Sequence, residues 1–94
     1  MKLFGRERLE IFTEKHPDAR QWIANWLAEV GTSTWSTLHD IKERYRSASI
    51  LPGNIVIFNV KGNAYRLAVQ VAYETETVVV KRVGTHSEYT TWRW

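Results

Sequence analysis

Residues 55–83, IVIFNVKGNAYRLAVQVAYETETVVVKRV, switch the chain from helical to strand-like periodicity. Runs rich in valine, isoleucine and aromatic residues are separated by KGN at 61–63 and ETE at 74–76. Such runs favour pleated, half-buried backbone, and Gly62 and Asn63 tolerate the positive φ that a tight hairpin turn demands. The spacing predicts an antiparallel meander. Because successive side chains of a strand alternate, Tyr65, Leu67, Val69, Val71 and Tyr73 share one face and Arg66, Ala68, Gln70 and Ala72 the other. The first face is expected to pack on helices and the second to form a small polar floor.

Toward the amino terminus the period is helical. Lys2 to Phe4 reads as a short strand stopped by Gly5, and Leu9, Ile11 and Phe12 mark a helix ending near His16. Pro17 and Asp18 open a second helix, since proline is tolerated in a first turn and an acid suits the positive end of the helix dipole. Ala19, Trp22, Ile23, Trp26, Leu27 and Val30 fall on one face of it, with Arg20, Gln21, Asn25 and Glu29 mostly opposite, and Gly31 is its expected end. That spacing makes Trp22 and Trp26 core residues rather than base-stacking platforms. Beyond a Thr/Ser-rich connection holding Trp35, residues 37–45 form a third helix with Leu38, Ile41 and Tyr45 inward, and 47–53 read as a loop. The expected fold is α+β, with N-terminal helices packed on one face of a small antiparallel sheet, in a single domain covering residues 1–94.

The 44% apolar and 24% charged composition is that of an ordinary globular chain, and the absence of cysteine excludes disulfides, thiolate metal sites and cysteine nucleophiles. Neither a signal-peptide run at the start nor a stretch of ~18 apolar residues is present, so the expected address is cytoplasmic, with no membrane. A net charge of +3 and pI near 9.5 permit nucleic-acid binding without requiring it. The distribution is more telling: residues 1–53 carry eight Lys/Arg against seven Asp/Glu, and residues 54–94 carry five against three. Glu74 and Glu76 sit in a turn and Glu88 follows the last strand, leaving the strands purely cationic.

Arg66, Lys81 or Arg82, His86 and Tyr89 therefore stand out, because cations beside an imidazole and a phenol can hold a phosphate and move a proton next to it. An isolated strand arginine is ordinarily a solvated charge. Here small neighbours, Ala68 and Ala72, leave room for a ligand backbone, and the next strand adds a second cation. Alternation puts Lys81 and Arg82 on opposite faces, so only one can join Arg66, and valines on both sides leave the choice open. His86 follows Gly84 and Thr85 just past the strand, where a turn-capping role is the alternative. Tyr89 lies one helical turn further on and can instead close the core with Trp92 and Trp94. Asn63 suits its turn, whereas Asn59 is unusual in a strand. His16, His39 and His86 lack metal-ligand spacing, so neither metal nor cofactor is expected.

The strings HPDARQWIANWLAEV (16–30), DIKERYRSA (40–48), FNVKGNAYRL (58–67) and VGTHSEY (83–89), with Trp35 between the first two, resemble the HigB family of toxins within the RelE superfamily. The resemblance implies a RelE-like fold, an endoribonuclease cutting messenger RNA, usually on the translating ribosome, and a helix-turn-helix antitoxin of the HigA type. Asn59, Asn63, Arg66, His86, Glu88 and Tyr89 fall on matching positions. Lys81 falls where members carry Arg or Lys, which favours it over the more variable Arg82 as the partner of Arg66. Thr90 departs, since similar sequences often place Asp there.

The implied chemistry is metal-independent attack of a ribose 2′-hydroxyl on the adjacent phosphate, ending in growth arrest. Arg66, Lys81, His86 and Tyr89 would be catalytic, Asn59, Asn63 and Arg82 would bind RNA, and Glu88 would orient His86. The alternative is a non-catalytic RNA-binding or regulatory module using the same basic sheet face.

Overall fold

Gly5 turns the chain from β1 (Lys2–Phe4) into α1 (Arg6–Lys15) with a left-handed φ of 88°. A side chain there would meet the backbone oxygen of Val80 at 3.0 Å, so the residue satisfies two demands at once, a positive φ and a close approach. Gly5→Ala is expected to destabilise the fold by at least about 1–2 kcal/mol, the cost of left-handed backbone alone. A urea midpoint equal to that of the parent protein would contradict this.

The structure is a computed structural model in which residues 1–93 are described. After α1 come a 3₁₀ turn at Pro17–Ala19, α2 (Arg20–Thr32), α3 (Leu38–Arg44), β2 (Ser49–Leu51), β3 (Ile55–Val60), β4 (Tyr65–Ala72), β5 (Thr77–Thr85) and α4 (His86–Tyr89). The expected contribution of Trp94 to the core lies outside the described residues. Strand order is β1-β5-β4-β3-β2, antiparallel from β2 to β5. β1 adds a parallel edge, with Leu3 opposite Val78. The α+β reading holds, and the sheet is mixed rather than wholly antiparallel.

Proline at 17 supports only the 3₁₀ turn, so α2 proper starts at Arg20 and continues past Gly31 to Thr32. Its last carbonyls are taken by hydroxyls, Ser33 Oγ donating to Glu29 O at 2.6 Å and Thr32 Oγ1 to Ala28 O at 3.2 Å, which removes the need to stop at the glycine. α3 starts from a capping box between Thr37 and Asp40 and buries Ile41, whereas Leu38, in its first turn, is exposed. The expected loop at 47–53 contains β2. Its three residues are too short to show a period, and they pair with β3 through a turn in which Gly53 and Asn54 both take positive φ.

Ile23, Trp26 and Val30 of α2 and Leu9 and Phe12 of α1 pack on Val56, Phe58, Leu67, Val69, Val71, Val78 and Val80 of the sheet. The centre is aromatic: Phe58 has the rings of Tyr45, Trp26 and Trp35 at 5.0, 5.6 and 6.4 Å. Trp26 is 1% exposed and Trp22 half-buried, as the helical spacing predicted.

The other sheet face is not the polar floor expected. Strand alternation in β3 sends Ile55 and Ile57 there, where with Ala68 they form a second small core covered by Leu51, Tyr89 and Trp92. α4 and the residues after it thus make a third layer. No helix among the described residues is long and apolar enough to cross a membrane.

Candidate functional site

Register between β4 and β5 breaks at one place. Ala68 lies opposite Arg82 and Val69 opposite Val80, which leaves Lys81 as an extra, unpaired residue. This bulge corrects the expectation that Lys81 and Arg82 point to opposite faces. Simple alternation fails across an inserted residue because the strand bends there and re-aims its side chains. Both cations line one concavity of about 410 Å³, together with Ile55, Arg8 of α1 and Arg93 of the tail.

Arg66 lies opposite Asn59 on one side and Gly84 on the other. It is only 9% exposed, so the ordinary solvated-charge reading of a strand arginine does not describe it. Its Nη1 donates to the carbonyls of Asn63 at 3.2 Å and Tyr65 at 3.1 Å, and its Cζ lies 5.4 Å from the centre of the Tyr89 ring. A desolvated cation on a ring face gains about 2 kcal/mol, which offsets part of the cost of burying the charge. Among the described residues no carboxylate pairs with it.

Gly84 permits this cover. A Cβ on it would lie 2.9 Å from Glu88 Oε1 and 3.2 Å from Trp92 Cζ2, so the turn after β5 packs closely on a bare backbone and a larger residue would make both side chains shift. Thr85 then caps α4: Glu88 N donates to Thr85 Oγ1 at 3.2 Å, and Thr85 N donates to Glu88 Oε1 at 2.8 Å. At the far end Thr90 and Thr91 hydroxyls donate to the carbonyls of Ser87 and Glu88, each at 2.7 Å. Thr90 is thus a local helix-end partner. His86 N donates to Ala64 O at 3.2 Å, tying the short helix to the β3–β4 turn.

The three-residue spacing 86, 89, 92 places aromatic rings in a row. His86 and Tyr89 stack with centroids 6.4 Å apart and planes at 21°, and Tyr89 meets Trp92 edge-on at 5.5 Å. Trp92 in turn has the Arg82 guanidinium 6.0 Å from its ring. The structure therefore joins Arg66, Tyr89 and His86 directly, and Arg82 through Trp92, with Lys81 beside Arg82. Asn63 contributes its backbone carbonyl to Arg66. Asn59, half-buried, borders a different cavity of about 510 Å³ beside Trp22, Trp26 and Arg46.

Glu88 bonds Thr85 rather than His86, so any orienting effect on the imidazole runs through the helix it caps. The backbone hydrogen bond from Thr85 holds its carboxyl below the usual range, with burial opposing and the Thr85 side chain adding to the effect. A lowered carboxyl means that the unfolded chain binds more protons in acid. This stabilisation is complete above the ordinary value of 4.5 and is lost as pH falls through the lowered folded-state value. Glu88→Gln keeps a capping partner and removes the titration, so between pH 7 and pH 3 it is expected to lose less stability than the parent protein. Parallel loss of the two urea midpoints would contradict this.

On the helix side Asp18 accepts from Tyr65 Oη at 2.7 Å and pairs with Lys61 Nζ at 3.3 Å. The Tyr65 bond lowers the Asp18 carboxyl, and the same bond raises the phenol. This link fastens the β3–β4 turn, which supports Arg66, to the start of α2. Sequence reasoning missed it, together with Arg8 and Arg93, and named Trp92 only as a residue closing the core beside Tyr89. Only Trp92 left a signal, in its three-residue spacing from Tyr89.

No curated protein matches the chain. A family model described as HigB_toxin, the RelE-like toxic component of a toxin-antitoxin system, matches residues 19–92, from the 3₁₀ turn before α2 through Trp92, and so includes Arg66, Lys81, Arg82, His86 and Tyr89. With that model spanning more than half of its length, the chain belongs to the HigB_toxin family of RelE-like toxins, whose toxin-antitoxin pairing implies an antitoxin as its partner.

Proposed function

We propose that this toxin is a metal-independent endoribonuclease that cleaves messenger RNA on the ribosome and thereby arrests growth. The observation that carries the reading is Arg66, a guanidinium nearly sealed from water with no carboxylate partner among the described residues. A buried cation left unneutralised is an anion site in waiting, because a phosphate supplies the charge and the hydrogen bonds that the fold withholds. Nη1 is committed to two carbonyls, which leaves the Nε and Nη2 edge for phosphate oxygens.

The 2′-oxygen of the substrate attacks the adjacent phosphorus, a P–O bond forms, and the bond to the 5′-oxygen breaks. The products are a 2′,3′-cyclic phosphate and a 5′-hydroxyl. The protein supplies no covalent nucleophile, so its work is to stabilise charge and move a proton. Arg66 holds the charge that builds on the equatorial oxygens, and Lys81 adds positive field from the β5 bulge. His86, exposed at the start of α4, takes the 2′-hydroxyl proton and returns it to the departing 5′-oxygen, since an imidazole exchanges protons near neutral pH. Tyr89 fixes Arg66 from one face and offers its hydroxyl to the phosphate. Arg82 positions the strand, and Asn63 helps by holding Arg66 through its carbonyl, whereas Asn59 borders the other cavity. A helix-turn-helix antitoxin of the HigA type would keep RNA from this face.

Inducing the chain without its antitoxin and mapping RNA ends tests the reading. New 5′-hydroxyl ends support it. Arrested growth with intact RNA would favour the non-catalytic RNA-binding module instead.

A further inference from the structure

Four cationic side chains from three separate parts of the chain surround the concavity beside the β5 bulge: Arg8 from α1, Lys81 and Arg82 from the bulge, and Arg93 from the tail. Its lining contains no acid among the described residues. None of the four forms an ion pair among the described residues, and Arg93 donates only to the carbonyls of Thr91 and Trp92, at 3.5 and 3.3 Å. Gathering like charges in one hollow costs Coulomb energy that a solvated, dispersed arrangement would avoid. The bulge compounds this, since an inserted residue forfeits ladder pairing in order to turn Lys81 and Arg82 the same way.

We infer that this concavity is a second phosphate site, which holds the RNA backbone of nucleotides flanking the one cut at Arg66. The inference rests on the RNA-cleaving reading for its substrate and extends it to Arg8 and Arg93, which that reading leaves without a role. Continuity supports it. From Arg82 the row of rings runs through Trp92 and Tyr89 to Arg66 and His86, so a strand leaving the Arg66 site crosses aromatic edges before reaching the four cations. Aromatic surface between cationic stations is the arrangement that single-stranded nucleic acid uses, bases on rings and phosphates on guanidinium forks. An acidic protein segment would find the charges but have no use for the rings. The volume, about 410 Å³, is wide enough for a backbone rather than a lone ion.

The test is the salt dependence of binding to a 2′-O-methyl oligoribonucleotide dodecamer, which offers phosphates and bases but no 2′-hydroxyl to attack. Fluorescence anisotropy is recorded for the parent protein, for Arg8→Gln/Arg93→Gln, and for Arg6→Gln/Arg20→Gln. The last pair removes the same charge from the groove between α1 and α2, away from the bulge. Each single-strand phosphate contact contributes about 0.7 to the slope of log K against log salt, so losing two is expected to lower it by about 1.4 in the Arg8/Arg93 variant alone. All four positions are exposed, so the variants keep the fold, which circular dichroism verifies. An unchanged slope, an equal fall in both variants, or binding of a polyglutamate peptide without the oligonucleotide overturns the inference. If the slopes differ as expected while natural RNA stays whole, the cleavage reading fails and the phosphate site stands.

Discussion

Arg66→Lys is expected to lower RNA cleavage by about 10²–10³-fold, the loss typical of removing one well-placed donor to a developing anion. Lysine keeps the charge but not the planar fork. It cannot hold two carbonyls with one nitrogen, rest flat under Tyr89 and still present a second edge to phosphate oxygens. The decrease should fall mainly in kcat, because the interaction strengthens as charge moves onto the phosphate. Arg66→Ala is a poorer test. It leaves the Asn63 and Tyr65 carbonyls short of a donor in a nearly buried place and costs about 1–3 kcal/mol of stability as well. Single-turnover cleavage of a short RNA measures the effect, and a lysine variant within twofold of the parent would remove the guanidinium from the chemistry.

His86→Ala should cost about 10²–10⁴-fold, the usual contribution of a positioned general acid or base. The residue is exposed, and its structural bond, from the backbone N–H to Ala64, survives truncation of the side chain. The fold is therefore expected to persist, which makes the loss interpretable as chemistry. The loss should be read from single-turnover cleavage of a short RNA at neutral pH. Substitution by Gln, which can hydrogen bond but cannot exchange a proton at these pH values, should not restore the rate. A folded His86→Ala protein that cuts RNA at the parent rate would take the histidine out of the mechanism and leave Arg66 as a binding residue only.

Both predictions start from residues visible in the sequence, but what each does was legible to different degrees. Arg66 could be placed on the face away from the helices by counting in twos along β4. Its burial could not, because the cover comes from Tyr89 of α4, more than twenty residues further on. Glu88 was expected to orient His86, since a carboxylate would repel a phosphate and so suits a supporting role. Helix-end geometry gives the carboxylate to the Thr85 backbone N–H instead, since an unpaired amide at a helix start competes strongly for an acceptor.

By itself the sequence determined the three long strands, the turns between them, the buried face of α2, and the inventory of cations, imidazole and phenol near the end of the chain. These are local properties, set by side-chain period, β-branching and turn chemistry within a few residues. Only the tertiary structure decided that β1 pairs in parallel with β5, that Ile55 and Ile57 underlie a second core, and that Lys81 and Arg82 share one concavity. A bulge, an edge pairing and a buried guanidinium are each relations between segments far apart in the chain, and no periodicity within one segment encodes the register of its neighbour.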